Sequence, residues 1–173
     1  MSLADYGVNL LLVALVIRQI RGKKLTAFGL LWPVGLVAWA GETYLHAIPT
    51  AGNDVPLILT GALTGAVLGC ACGLLTRIHR QPDGTLVAKA TSIAALLWVL
   101  GVGARMGFAL YAQNGGGPAI ARFSADNHIT SGAAWTACLI LMSLTEVLGR
   151  TALLATRAAT TPRLASTAPK TTP

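Results

Sequence analysis

The sequence predicts an all-α fold, a polytopic transmembrane helix bundle of about five spans with its N-terminus outside and its C-terminus inside the cell. Three observations carry this. Of the 173 residues, 54% are hydrophobic and only 11% charged, with a mean hydropathy of +0.64. Soluble domains carry about 25% charged residues, so this surface calls for a solvent other than water. The apolar residues fall into five runs, each near the ~20 residues that a helix needs to cross the hydrocarbon layer. The basic residues lie almost wholly between those runs and on one side of a five-span arrangement.

The first run covers residues 3–20 and ends in Arg18, Arg21, Lys23 and Lys24. Its charges follow the apolar stretch and no small-residue cleavage site comes after it, so it reads as a retained span and not a signal peptide. The second run, 25–46, contains Trp32-Pro33, where a kink is expected because proline removes a helical hydrogen bond. Trp39 and Tyr44 suit its approach to the interface. The third run, 55–75, stops at Arg77, His79 and Arg80, and residues 81–84 (Gln-Pro-Asp-Gly) signal a turn. The fourth, 86–112, includes Lys89 and Arg105 and breaks at residues 114–118 (Asn-Gly-Gly-Gly-Pro). The fifth, 128–149, follows helix-capping candidates at Ser124, Asp126 and Asn127. Residues 1–155 thus read as one transmembrane domain. Residues 156–173, rich in Ala, Thr and Pro, read as a disordered cytoplasmic tail.

Orientation follows from charge. Arg18, Arg21, Lys23, Lys24, Arg77, Arg80, Lys89, Arg150, Arg157, Arg163 and Lys170 share one side, which the positive-inside rule makes cytoplasmic. Arg122 falls on the other side with Asp5, Asp54 and Asp126, and Arg105 lies within a span. A net charge of +7 can indicate nucleic acid, but these charges form loops between spans and no basic helical face or arm. The expected partner is the bilayer, in a multi-pass cell-membrane protein, and not nucleic acid.

Within the third run Gly61, Gly65, Gly69 and Gly73 recur every fourth residue, flanked by Thr60 and Thr64. Such a ridge lets another backbone approach closely. Packing inside the bundle is the plainer use, with Gly103 and Gly107 as a matching surface, and a homo-oligomer through the same ridge is the sharper one. Cys70, Cys72 and Cys138 lie inside apolar runs. The first two form a Cys-x-Cys and not the Cys-x-x-Cys of thiol oxidoreductases.

Ionisable groups in a span are costly and mark sites. Glu146 stands four residues before Arg150, the favoured order for an ion pair on one helix face. Glu42 and Arg105, counted at ~1.5 Å per residue from residues 25 and 90, share a depth of roughly 22–26 Å from the inner boundary. Opposite charges at one depth suggest a buried pair. Tyr44, His46, Tyr111, Asp126 and His128 come near that level, so an outward-facing polar pocket is the expected site, with Trp39 beside it. His46 and His128 with a carboxylate would be needed for a metal; they lie in separate segments, and no metal or other cofactor is expected.

Arg18-Gln-Ile-Arg21-Gly22 after the first span, residues 76–84, and Leu97-Trp98-Val99 with Arg105 resemble the CcdC-like group of small polytopic bacterial membrane proteins. The resemblance covers the spans and not the tail. It implies a multi-span bundle linked in name to cytochrome c biogenesis, and it brings no catalytic residues. A likeness of class only is to small membrane-embedded terpene cyclases, which protonate a lipophilic substrate with an intramembrane carboxylic acid. That chemistry needs a carboxyl in an apolar site and aromatic rings to steady a carbocation. Glu42 with Trp39, Tyr44 and Trp32 would supply them, or Glu146 with Trp135.

An accessory or binding role is therefore the leading expectation, with an enzyme acting on a lipophilic small molecule as the alternative and Glu42 and Glu146 as its candidate acids. A transporter subunit comes third, since no inverted repeat or charged ring is visible. Residues 115–118 lack the Lys and Ser or Thr of a nucleotide-binding loop.

Overall fold

The computed structural model describes residues 23–24, 26–44, 48–81 and 83–161. In chain order these form strand β1 (Lys23–Lys24), helix α1 (Ala27–Tyr44), helix α2 (Asp54–Leu74), strands β2 (Thr76–Arg80) and β3 (Leu86–Ala90), helix α3 (Ser92–Tyr111), helix α4 (Gly117–Asp126) and helix α5 (Gly132–Thr160). A π-helical kink at Ala112–Gly116, where Asn114 and Gly115 leave helical geometry, joins α3 to α4. The described chain is mostly helical. Among the described residues three helical segments are long and apolar enough to cross a membrane: Asp54–Leu74, Ser92–Asp126 (α3 and α4 taken together across the kink) and Gly132–Thr160. The first expected span, together with His46 and residues 162–173, lies outside the described residues.

The bundle is built around α2 and α5, which pack along their whole shared length. The glycine ridge explains the closeness. A Cβ on Gly61 would strike the Cys138 carbonyl and thiol, and one on Gly65 would strike the Met142 carbonyl. A Cβ on Gly69 would strike the Glu146 carbonyl, and one on Gly73 would press on Leu153. The ridge therefore faces α5 inside the chain. Gly103 and Gly107, expected to be its partner surface, instead have open space beside them. Thr145 reinforces the contact by donating to the Ala62 carbonyl at 2.7 Å, while Thr60 and Thr64 donate back to carbonyls of their own helix.

Burial follows the same logic. The centre is made of small residues, with Ala134 at 0% and Ala137 at 2% exposure, whereas Leu63 and Val67 stand out at 67% and 68%. A water-soluble core would reverse this order. Association by close contact of small residues, with large apolar side chains turned outward, is how helices pack in lipid.

One end of the bundle carries a three-stranded antiparallel sheet in the order β1-β3-β2. Leu75 alone separates α2 from β2, and Thr91 alone separates β3 from α3. The turn signal at 81–84 is the hairpin between them: Gly84 takes φ +82°, natural for glycine alone, and Asp83 accepts from the Thr85 hydroxyl at 2.6 Å. The expected span over 86–112 is thus corrected. Its first five residues are strand, Lys89 lies in the sheet and not in a helix, and the helix starts at Ser92 under a Thr91 cap that accepts from Ala94 N–H.

At the same end α5 runs on to Thr160, past the expected boundary at residue 155. Its Arg157 donates to the carbonyls of Gly73 at 2.7 Å, Leu74 at 3.0 Å and Thr76 at 2.8 Å. The first two are carbonyls that the end of α2 leaves without helical partners, the third opens β2, and a cation there also favours the helix dipole. Charged hydrogen bonds are each worth about 1.5–3 kcal/mol. Arg157→Met is therefore expected to lower stability by about 2–3 kcal/mol, read as a lowered midpoint in detergent-solubilised thermal unfolding. An unchanged midpoint would show the cap to be replaceable by water.

The opposite end is closed by a polar clasp. Asp54, fully buried at the start of α2, accepts from Thr130 N–H at 2.8 Å, Thr130 Oγ1 at 2.6 Å and Ser131 Oγ at 3.4 Å. Asn53 donates its backbone N–H to the His128 carbonyl and its side chain to the Asn127 carbonyl, both at 2.9 Å. Gly52, at φ +52°, leaves no room for a side chain against the His128 carbonyl.

Candidate functional site

Between the two ends, α5 and α3 hold the buried charges. Glu146 is the fifteenth residue of the twenty-nine in α5 and is 5% exposed. Its Oε2 accepts from Arg105 Nη1 on α3 at 2.7 Å, with the two side chains 6% and 16% exposed. Gly101 lies one turn before Arg105. A Cβ there would come within 3.6–3.7 Å of both Glu146 oxygens, and the glycine leaves that side open to the carboxylate. Leu68 of α2 closes in beside Gly101. Helices α2, α3 and α5 thus converge on one ion pair.

Depth along the spans suggests Arg105 with Glu42, and helix spacing suggests Glu146 with Arg150. The structure instead joins Arg105 to Glu146, the ion pair found among the described residues. Glu42 is exposed near the clasp end of α1. Trp39, one turn before it, is 65% exposed. Tyr44 is the last residue of α1. Asp126 is the last residue of α4, and both Asp126 and His128 are exposed. His128, at φ +54°, contributes its backbone carbonyl to the clasp. Among the described residues no three His, Cys, Asp or Glu side chains gather as a metal site. Asp54, a loop residue by the sequence pattern, is the buried carboxylate that organises the clasp end.

Two open hollows lie along α3 and α5, and Arg105 lines the first of them. One, of about 450 Å³, lies between α1, α3 and α5, with Leu36, Met106 and Ile140 in its walls and Arg105 and Ser143 as its polar members. The other, of about 650 Å³, lies between α3, α4 and α5. Both include Ala109 and Leu139, so they meet there and make one groove.

Aromatic rings gather at the far end of that groove. Trp135 stacks on Phe108 with ring centroids 5.0 Å apart and lies 6.0 Å from Phe123, and its Nε1 donates to Ser124 at 3.1 Å. Trp135 and Glu146 are eleven residues apart on α5, about 16 Å along the axis. The groove therefore runs from an aromatic mouth to a guanidinium, with apolar walls between.

The chemistry this permits is recognition. Arg105 uses Nη1 on Glu146, and among the described residues its other N–H groups have no protein acceptor. A guanidinium has five donors in a fixed fork, so those facing the groove can serve an oxygen-bearing guest. Glu146 is engaged as the counter-ion of Arg105. No protein-family profile, curated protein or solved structure matches the chain.

Proposed function

We propose that this is a multi-pass membrane protein of five spans with an accessory, binding role, holding a lipophilic small molecule that carries an oxygen acceptor in the groove that α3 and α5 form with α1 at the Arg105 end and with α4 at the aromatic end. The observation that carries the reading is the partly used Arg105 guanidinium at the end of a groove whose walls are mostly apolar. Ligand sites of this kind combine apolar walls with a few fixed polar groups, in about 300–1,000 Å³. The acceptor would bond to Arg105, and the apolar body would lie along Ala109 and Leu139 toward Trp135.

The basic residues place the sheet end in the cytoplasm by the positive-inside rule, so the clasp and the aromatic mouth face outward. The run at 3–20 supplies a span before β1, and α1 another, giving N-terminus out and C-terminus in. The CcdC-like resemblance accords with a bundle that assists another process.

The test is to fill the junction. Ala109 is exposed to the groove and outside the core, so Ala109→Trp blocks the guest without rebuilding the fold. Organic extracts of purified wild type are expected to yield a lipophilic oxygen-bearing compound near one per chain, and extracts of Ala109→Trp at least tenfold less. Equal yields from both would remove the groove as the site.

A further inference from the structure

The sheet holds a second set of charges unrelated to the groove. The register pairs Arg77 directly with Lys89, His79 with Val87, and Lys24 of β1 with Val87. Because side chains alternate along a strand, Arg77, His79, Val87 and Lys89 share one face, with Val87 buried in it. Arg77, His79 and Lys89 are exposed. The opposite face, with Thr76 and Ala90 buried, turns toward the bundle, where Arg157 reaches the Thr76 carbonyl. No acidic residue occurs in any of the three strands.

Arg77 and Lys89 stand directly opposite one another. Cβ atoms of such a pair are about 4.5–5.5 Å apart, and like charges there repel. The arrangement gains from an anion that both cations can share. Position says which anion. Arg77 and Lys89 each lie three residues from the end of an apolar helix, Leu74 and Ser92 respectively. At ~3.3 Å per strand residue that is at most about 10 Å, close to the depth of one headgroup layer beside the hydrocarbon. A nucleic acid or a soluble protein would have to reach into that layer; a phospholipid phosphate is already there.

We propose that this sheet face is a binding surface for the phosphate of anionic phospholipid headgroups, with Arg77 and Lys89 as the paired donors and His79 at its border. The inference rests on the multi-pass reading, which puts α2 and α3 in the bilayer, but not on the groove. A phosphate held between β2 and β3 would tie the hairpin to the membrane surface and fix the ends of two spans.

The full chain in neutral detergent tests this with added phosphatidylglycerol or phosphatidylcholine, read by thermal unfolding and by native mass spectrometry of bound lipid. Wild type is expected to be stabilised by phosphatidylglycerol and to retain it, with no comparable effect of phosphatidylcholine or inorganic phosphate. Each basic residue near a charged membrane surface adds to attraction, and R77Q/K89Q should lose roughly tenfold or more in affinity. The charge-preserving R77K/K89R should retain most of it, which separates lost charge from lost fold. Retention of phosphatidylglycerol by R77Q/K89Q as strong as by wild type would overturn the proposal. So would an equal response to phosphatidylcholine, or Arg77- and Lys89-dependent binding of an RNA oligonucleotide in preference to lipid. Release of the wild-type chain from membranes by alkaline carbonate would instead overturn the multi-pass reading, a result independent of the lipid comparison.

Discussion

Arg105→Met alone is expected to cost about 3–5 kcal/mol of stability, while R105M/E146M stays within about 1 kcal/mol of wild type. The asymmetry follows from burial. With the guanidinium gone, the Glu146 carboxyl, on a residue 5% exposed, is left without its partner in a buried site, which is costly whether charged or neutralised. Removing both charges together removes the desolvation penalty along with the attraction, and methionine fills a comparable volume. Denaturant or thermal unfolding of the two variants in one detergent measures the difference. Ligand recovery should fall in both, because both lack the donors offered to the groove. A double variant as unstable as the single one would mean that packing and not charge holds α3 against α5. A stable single variant would mean that water reaches Glu146 and screens it.

The pairing of Arg105 with Glu146 depends on the full length of α5. Depth was counted from residue 90 and the last span was closed at 149, which put Glu146 in its final turn. Helix α5 continues to Thr160, so Glu146 sits at mid-helix, level with Arg105. Nothing in the residues after Gly149 marked that extension: Thr151 to Ala155 is apolar enough to be span and small enough to be tail. What holds those last turns as helix is Arg157 meeting the carbonyls at the end of α2, a tertiary contact without local signature. The strand at Leu86–Ala90 was hidden differently. Its apolar residues run straight into those of α3, and periodicity cannot separate a short buried strand from helix. The turn at 81–84, followed by Thr85, was the available sign of a hairpin.

Other features were legible because local chemistry determined them. The run at 55–75 became α2 almost residue for residue. Asp54 could have been found: a Gly-Asn-Asp entry to one apolar run and a Thr130-Ser131 entry to another supply a carboxylate and donors at matching ends of two helices. The glycine ridge was legible as a packing surface, but sequence alone could not say whether its partner was within the chain or another copy, since both uses need the same small residues.

Substitution of the ridge separates those two uses and should have the other largest effect. Gly65→Ala and Gly69→Ala are each expected to destabilise the folded chain by about 1–3 kcal/mol, and Gly65→Val to prevent folding. The added Cβ would land on the carbonyl oxygens of Met142 and Glu146. These belong to a helix backbone, which cannot rotate aside as a side chain would, so α5 must move as a unit. At Gly69 that displacement would also shift Glu146 away from Arg105, and Gly69→Ala should therefore lose ligand as well as stability. Gly103→Ala and Gly107→Ala provide the contrast: their Cβ atoms meet open space, and replacing a helical glycine gains up to about 1 kcal/mol. Midpoints of unfolding, measured alongside the oligomeric state in detergent, give the decision. Lower midpoints with unchanged mass place the ridge's work inside the chain. Preserved midpoints with loss of an oligomer would place it between copies, and the close approach of α2 and α5 would then be secondary to an assembly of whole bundles.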